Sequence, residues 1–360
     1  MIKKILLSLT TALTLLQAQT LQQSVEKVLQ TNPIVLERLA NYRETSKDLS
    51  IARSEYLPTV DLLSSVGREN TDAKNSVIFP NDTSLTYYEN SLTAMLNIFD
   101  GFSTTNKVDY QKSRIVAAAY NFIEKADDTA FELTRRYIEV LKQRELLLTA
   151  NENVAINEEI FTKVKELYSA GVTTKSEMRK IESSLFLARS NMIVQQNNAM
   201  DAVFNFKKTY GESVEMDSLE VPSFKVMLPK TLEEATEYSI RNNPSIMVAK
   251  YNIKASQYLK DQKKKNYYPK IDLTLQQNLD KNTYGLKTER NRFRAGVVLS
   301  YNLYRGGADE SNVQKAVSTI HRDIQVKNEL QRQTIEGLEL SWSAFSMIDK
   351  QLVELLKYKE

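Results

Sequence analysis

YLPTVDL at residues 56–62 returns as YYPKIDL at residues 267–273. The two stretches lie 211 positions apart, and the same spacing relates Leu21, Glu26, Asn32 and Pro33 to Leu232, Glu237, Asn243 and Pro244. A chain written twice is expected to build one structural unit twice. In each copy a first helix is expected to begin at the proline of an Asn-Pro pair, where the missing N–H is tolerated because the first helical N–H groups have no intrahelical partner. It ends before Pro58 or Pro269. Beyond that proline the apolar period falls to two, in Val60, Leu62, Ser64 and Val66 and again in Ile271, Leu273 and Leu275. A second alternating run follows in each copy: Leu92, Ala94, Leu96 and Ile98, then Phe293, Ala295, Val297, Leu299, Tyr301 and Leu303. Both runs stop at a glycine turn, Phe99-Asp100-Gly101 and Tyr304-Arg305-Gly306-Gly307.

Four strands are therefore expected, at about residues 58–69, 90–100, 269–280 and 291–304. The polar connection is longer in copy one, about residues 70–90, than in copy two, about 280–291. Alternation alone fits a soluble sheet as well as a lipid-facing one. Two features favour lipid. Tyr56, Phe99, Tyr267, Tyr268 and Tyr304 stand at strand ends, where an aromatic girdle meets the membrane interface, and Lys263, Lys264 and Lys265 lie just outside it. Bacterial barrels start at about eight strands, so four must be completed by other copies.

Between the sheet segments the chain is helical on a scale that a globule does not need. No proline or glycine occurs from Phe102 to Tyr168, a run of about 100 Å at ~1.5 Å per residue. Small and apolar residues recur there in steps of three and four: Ala119, Phe122, Ala126, Ala130, Leu133, Tyr137 and Val140. Arg144 and Asn151 interrupt the seam before Leu147 and Val154 resume it. A cleaner stripe runs through Met178, Ile181, Leu185, Ala188, Met192, Gln195, Ala199, Ala202 and Phe206, a heptad pattern of coiled-coil packing. The last helix, from about Ala308, carries a third in Val313, Ala316, Ile320, Leu330, Thr334, Ser341, Phe345, Ile348, Leu352 and Leu355.

Composition excludes much chemistry. With 48 Lys and Arg against 45 Asp and Glu, the net charge of +3 makes no electrostatic case for nucleic acid. No cysteine and a single histidine, His321, remove the usual zinc, haem and thiol sites. Acidic neighbours such as Asp127 and Asp128, or Glu158 and Glu159, point in different directions on a helix and make a poor acid/base pair. Gly306-Gly307 lacks the Lys and Ser/Thr of a phosphate loop and reads as a turn. No catalytic residue, cofactor or metal is expected. The first 18 residues, with Lys3 and Lys4 before the apolar run Ile5 to Leu16, read as a secretory signal.

The paired Asn-Pro helix starts, the paired Tyr-x-Pro (Tyr56 to Pro58, Tyr267 to Pro269) and the paired aromatic-x-Gly exits (Phe99 to Gly101, Tyr304 to Gly306) resemble the outer membrane efflux protein family, the TolC-like channels of Gram-negative bacteria. The resemblance covers the whole mature chain. It implies a mainly α protein with a small β part: long antiparallel coiled-coil helices plus four transmembrane strands, duplicated. Repeat 1 would occupy residues 19–211, an equatorial crossing segment 212–230, and repeat 2 residues 231–360. By the same resemblance three chains form a homotrimer with one twelve-stranded α/β-barrel in outer-membrane lipid. Their helices make a periplasmic tunnel that meets a periplasmic adaptor and an inner-membrane pump, in tripartite efflux or type I secretion. A periplasmic coiled-coil adaptor is the alternative, but adaptors carry one hairpin between glycine-rich halves, unlike this duplicated, glycine-poor chain. Terminal Glu360 corresponds to Ala155, whereas copy one continues to about Gly211, so the sequence is expected to be a truncated or fragmentary member lacking about 55 residues. The acidic residues with which the family narrows its entrance fall in that part.

One break remains, LYSAGVTTKSEM at 167–178, between the first two long helical patterns. Gly171 suits a left-handed C-cap, and Thr174-Lys175-Ser176-Glu177 fits a capping box in which Thr174 caps and Glu177 reaches back. It is a hairpin turn in any case. The resemblance further implies that it is the periplasmic tip, with Gly171, Thr174, Ser176 and Glu177 meeting the adaptor.

Overall fold

The computed structural model describes residues 20–72, 83–223 and 227–359. The expected signal segment at 1–18 lies outside the described residues, as do parts of the copy-one strand connection and of the crossing segment. Copy one consists of α1 (Leu21–Thr31), α2 (Pro33–Ser54), β1 (Thr59–Thr71), β2 (Thr83–Phe99), α3 (Ser103–Ser169) and α4 (Lys175–Tyr210). Copy two repeats the order with α5 (Leu232–Asn242), α6 (Pro244–Lys263), β3 (Lys270–Lys281), β4 (Glu289–Ser300) and α7 (Ala308–Lys359).

The Asn-Pro pairs do more than open a helix. Each is preceded by a separate helix, α1 or α5, which the sequence pattern does not predict. Thr20 caps α1 in a full capping box with Gln23, and Thr231 accepts from the Glu234 N–H at the start of α5. Asn32 and Asn243 then end those helices in extended backbone and cap the next, accepting from the N–H groups of Ile34 at 2.9 Å and Ile246 at 3.2 Å.

Two compact units result, Met1–Leu39 with Phe122–Leu228 and Ala40–Asn121 with Pro229–Glu360. In the first, Leu133, Tyr137 and Val140 of α3 close on Ala202, Phe206 and Tyr210 of α4, with Val28 of α1 and Leu219 of the crossing segment completing the core. Tyr137 is fully buried, and its hydroxyl donates to the Glu220 carbonyl at 2.7 Å, so the polar end of a large core residue is satisfied. Its ring meets Phe206 edge-on at 6.0 Å, and Phe206 stacks on Tyr210 at 5.2 Å. Arg144, which broke the apolar seam, donates to the carbonyls of Leu219 at 3.0 Å and Met216 at 3.4 Å. It pins the crossing segment to α3.

The second unit holds the sheet, of strand order β1-β2-β3-β4 and antiparallel throughout. Thr59 pairs with Met95, Leu96 with Leu273 and Ile271 with Leu299. Several strand boundaries differ from the expected ones. β1 runs on to Thr71, and β2 starts at Thr83 rather than about 90, because Thr71 pairs with Thr83 and draws the polar connection into the ladder. β4 stops at Ser300 rather than 304, because its pairing with β3 ends where Lys270 meets Ser300. A register shift between Asn97 and Phe99 also places Phe99, not Ile98, opposite Ile271. Elsewhere in this unit α6 packs along α7 with Ala249, Ala255 and Ala316 buried, so close approach is made through small residues. The serine hydroxyl of Ser256 donates to Asp323 at 2.5 Å across that seam.

Candidate functional site

Parity gives the sheet a mainly apolar and a mainly polar face, with Leu63, Met95 and Val298 as apolar exceptions on the polar one. Cross-strand partners fall on one face as Val60, Ala94, Leu275 and Ala295, then Leu62, Leu92, Gln277 and Phe293. On the other face lie Asp61, Thr93, Gln276 and Arg294, then Ser65, Glu89, Asp280 and Arg290. Because the side-chain period of a strand is two, these sets point to opposite sides. Val60, Leu62, Leu92, Phe293 and Val297 are exposed, so the apolar face lacks cover within this chain. The polar face is internally bonded. Asn97 Nδ2 donates to Asp272 Oδ1 at 2.8 Å, Lys270 meets the same carboxylate at 2.8 Å, and Arg292 reaches Asp280 at 3.4 Å. Strands of 13, 17, 12 and 12 residues exceed the ~9–11 that cross a bilayer when tilted. No described helix is long and apolar enough to do so.

At the helix-side end of the strands, two of the five predicted aromatics come together. Phe99 and Tyr268 join Phe102 in an edge-on trio with centroids 5.3, 6.3 and 5.4 Å apart. Tyr56 instead donates to the Thr105 hydroxyl at 3.2 Å, and Tyr267 and Tyr304 are exposed. Phe102 was missed by sequence reasoning, and its backbone explains why it matters. Gly101 and Phe102 both adopt left-handed φ, +66° and +65°. Gly306 and Gly307 repeat the pair in copy two at +62° and +79°. That conformation costs a non-glycine residue ~1–2 kcal/mol, which the ring contacts of Phe102 offset. The glycine at its copy-two counterpart was the available signal. Asp100 secures the exit by accepting from the Thr104 N–H at 2.8 Å and the Thr104 hydroxyl at 2.6 Å. A cavity of about 790 Å³ opens on the polar side of this junction, lined among others by Glu55, Asn97, Asp100, Lys265 and Asp272.

Nearby, the Lys263 to Lys265 run closes α6 onto Asp261. Burial pushes that carboxyl up, but the hydrogen bond from Lys264, at 2.8 Å, and the charge of Lys260 together hold it below the usual aspartate range.

The tip of the α3–α4 hairpin is built by caps. The Val172 N–H bonds to the Leu167 carbonyl at 2.9 Å and the Gly171 N–H to the Tyr168 carbonyl at 3.0 Å, with Gly171 at φ +73°. This is a Schellman stop, which requires the left-handed residue that glycine supplies. The restart is half of the expected box: Thr174 Oγ1 accepts from the Glu177 N–H at 3.3 Å, but the Glu177 carboxylate does not return to Thr174. Glu177, with Ser176, points into solvent instead. Gly171, Thr174, Ser176 and Glu177 are all exposed, and a Cβ at Gly171 would meet nothing within 4 Å. Below the tip, Arg189 of α4 grips Glu158 of α3 at 2.7 Å and Leu185 and Ala188 are buried, so an open surface stands on a locked stem.

Known proteins share this architecture. The relatives include the outer membrane efflux protein BepC of Brucella suis biovar 1, 23% identical over 336 residues that span 91% of this chain and 70% of BepC. The proteases secretion protein PrtF of Dickeya chrysanthemi is 20% identical over 303 residues, 81% of this chain and 65% of PrtF. The solved outer membrane protein VceC of Vibrio cholerae has the same fold, with a TM-score of 0.76 over 93% of this chain and 80% of its own, at 12% identity. The family model of outer membrane efflux proteins matches residues 24–212 and 237–336, which takes in the four strands and the Asn32 and Asn243 caps. This chain belongs to the outer membrane efflux protein family.

Proposed function

We propose that the chain is one subunit of a passive export duct that spans the outer membrane and continues through the periplasm as a helical tunnel. The observation that carries this is the two-faced, four-stranded sheet with both edges open. An apolar outer face suits lipid, a polar inner face suits water, and four strands fall short of the eight from which bacterial barrels begin. Three copies close a twelve-stranded barrel and bring three helical bundles around one lumen. The duct needs no catalytic residue, because energy comes from an inner-membrane pump reached through a periplasmic adaptor. The exposed tip at Gly171, Thr174, Ser176 and Glu177 is the docking end. Tyr56, Phe99, Tyr267, Tyr268 and Tyr304 mark the membrane interface on the periplasmic side.

One relative is named for protease secretion and another for efflux, which supports an exit-duct role in either kind of machine. A periplasmic adaptor has no use for a lipid-facing sheet, which disfavours that reading.

Export assays on Gly171 variants test the tip. Gly171→Trp is expected to leave assembly intact and abolish export, whereas Gly171→Asn, which tolerates left-handed backbone, retains it. Full export by the Trp variant reduces the stretch to a turn.

A further inference from the structure

The duplication relates strands as well as helices. β1 maps onto β3 at a spacing of 211, with Asp61 on Asp272, and β2 maps onto β4 at 205, with Asn97 on Asn302 and Gly101 on Gly306. Applied to the pair Val60 and Ala94, the two spacings give Ile271 opposite Leu299, which is the pairing present in the sheet. The contact of β2 with β3 has no such image within the chain, because β4 and β1 are the sheet edges. The same spacings turn Ala94 opposite Leu275 into Leu299 opposite Ser64, and Asn97 opposite Asp272 into Asn302 opposite Asp61.

We propose that β4 of one copy docks on β1 of a second copy in this register, sealed by a hydrogen bond from the Asn302 amide to the Asp61 carboxylate and by Arg294 facing Glu69. The proposal rests on the barrel reading above and adds to it the residues that make the joint. Within the chain, Asn97 and Asp272 are bonded at 2.8 Å and Asp272 is buried. Their counterparts Asn302 and Asp61 are exposed and have no bonded partner among the described residues. A partner for each is what the second copy supplies.

Charge favours the same register. Arg294 makes no ion pair among the described residues, and the predicted alignment sets it directly across from Glu69, an opposite-charge cross-strand pair. A slip of two residues puts Asn302 opposite Thr59 or Leu63 and Arg294 opposite Gly67 or Thr71, so both polar pairs are lost together; the first of these slips sets Arg292 opposite Glu69, but Arg292 already reaches Asp280 at 3.4 Å within the chain. A slip of one turns the apolar face inward. The docked edge also extends β4 through Tyr304, the counterpart of Phe99, and gives that ring, 83% exposed in the chain alone, a strand to lie against.

The chain has no cysteine, so introduced pairs report without background. Directly opposed residues on antiparallel strands have Cα atoms ~4.5–5.5 Å apart, within disulfide reach, and diagonal ones do not. In oxidised outer membranes, Asn302→Cys with Asp61→Cys is expected to give a covalent three-chain product, at least ~10-fold more abundant than the product of Asn302→Cys with Thr59→Cys or Leu63→Cys. Asn97→Cys with Asp272→Cys should close within one chain and migrate as a monomer, which reports a folded sheet in the same preparation. Dominant linking through Thr59 or Leu63 overturns the register and leaves the barrel reading standing. No interchain product from any pair, in protein that still assembles into trimers, overturns β4–β1 docking; protein that stays monomeric in the membrane overturns the duct itself. Independently, Arg294→Glu should lower the detergent-resistant oligomer fraction and Glu69→Arg in the same chain should restore it. A double variant no better than the single one removes that contact from the joint.

Discussion

The long apolar helix stripe of copy one is covered within the chain, and that of copy two is covered only in part. The stripe on α4 is buried at Leu185, Ala188, Ala199, Ala202 and Phe206, against α3. The similar stripe on α7 is half-buried from Val313 to Thr334 and then bare, with Ser341, Phe345, Ile348, Leu352 and Leu355 all exposed. The strands are even-handed: β2 and β3 are paired on both sides, while β1 and β4, one from each copy, are paired on one. An apolar period states that a surface needs cover. It does not say which chain provides it.

The largest effect that sharpens this contrast is expected in the helices. Phe206→Ala, in the fully buried core, should cost ~3–5 kcal/mol in denaturant unfolding of the detergent-solubilised protein. Phe345→Ala should cost less than ~0.5 kcal/mol in the isolated chain, as an exposed position does. A cost for Phe345→Ala approaching that of Phe206→Ala in assembled protein would reveal that assembly covers the α7 stripe.

Next come the two glycine exits. A Cβ at Gly101 would lie 2.5 Å from the Lys265 carbonyl oxygen and 3.0 Å from the Tyr268 Cβ, whereas one at Gly306 meets nothing within 4 Å. Gly306→Ala should therefore cost only the left-handed backbone term of ~1–2 kcal/mol, and Gly101→Ala a further ~1–3 kcal/mol of overpacking. Equal losses in thermal unfolding would mean that the copy-two exit is as tightly held in the assembly as the copy-one exit.

The smallest effect concerns charge on the first unit. Hydrogen bonds from Arg135 and then Arg136 hold the Glu132 carboxyl below the usual glutamate range. A carboxyl lowered by folding stabilises the native state above its unfolded value and loses that contribution as pH falls through the folded one. With Glu132 about a third exposed, the loss on acidification should stay under ~1 kcal/mol, and Glu132→Gln should remove it. An unchanged acid limb of stability against pH in that variant would contradict the assignment.

Much of this fold is legible in the sequence, for identifiable reasons. Period-two runs can be read because a strand buries alternate residues, and the α4 seam because Met178 through Phe206 keeps its steps of three and four. Gly171 and Thr174 announce their caps by residue type alone. What is not legible depends on partners distant in the chain. The bulge beside Phe99 is hidden because Ile98 is as apolar as its neighbour, and Arg144 looks like a fault in the seam until the Leu219 carbonyl is placed beside it. α1 and α5 are hard to read because an Asn-Pro pair signals the helix it starts more plainly than the one it ends. The docking role proposed for the tip depends on the surface of a partner, which this chain's sequence does not carry.

The central claim is that this sheet is completed only by other copies of the chain. Native mass measurement of the protein extracted from outer membranes tests it most directly. Three copies per particle, with twelve strands between them, is the predicted result; a stable monomer in the membrane, or a particle of two copies, would contradict it.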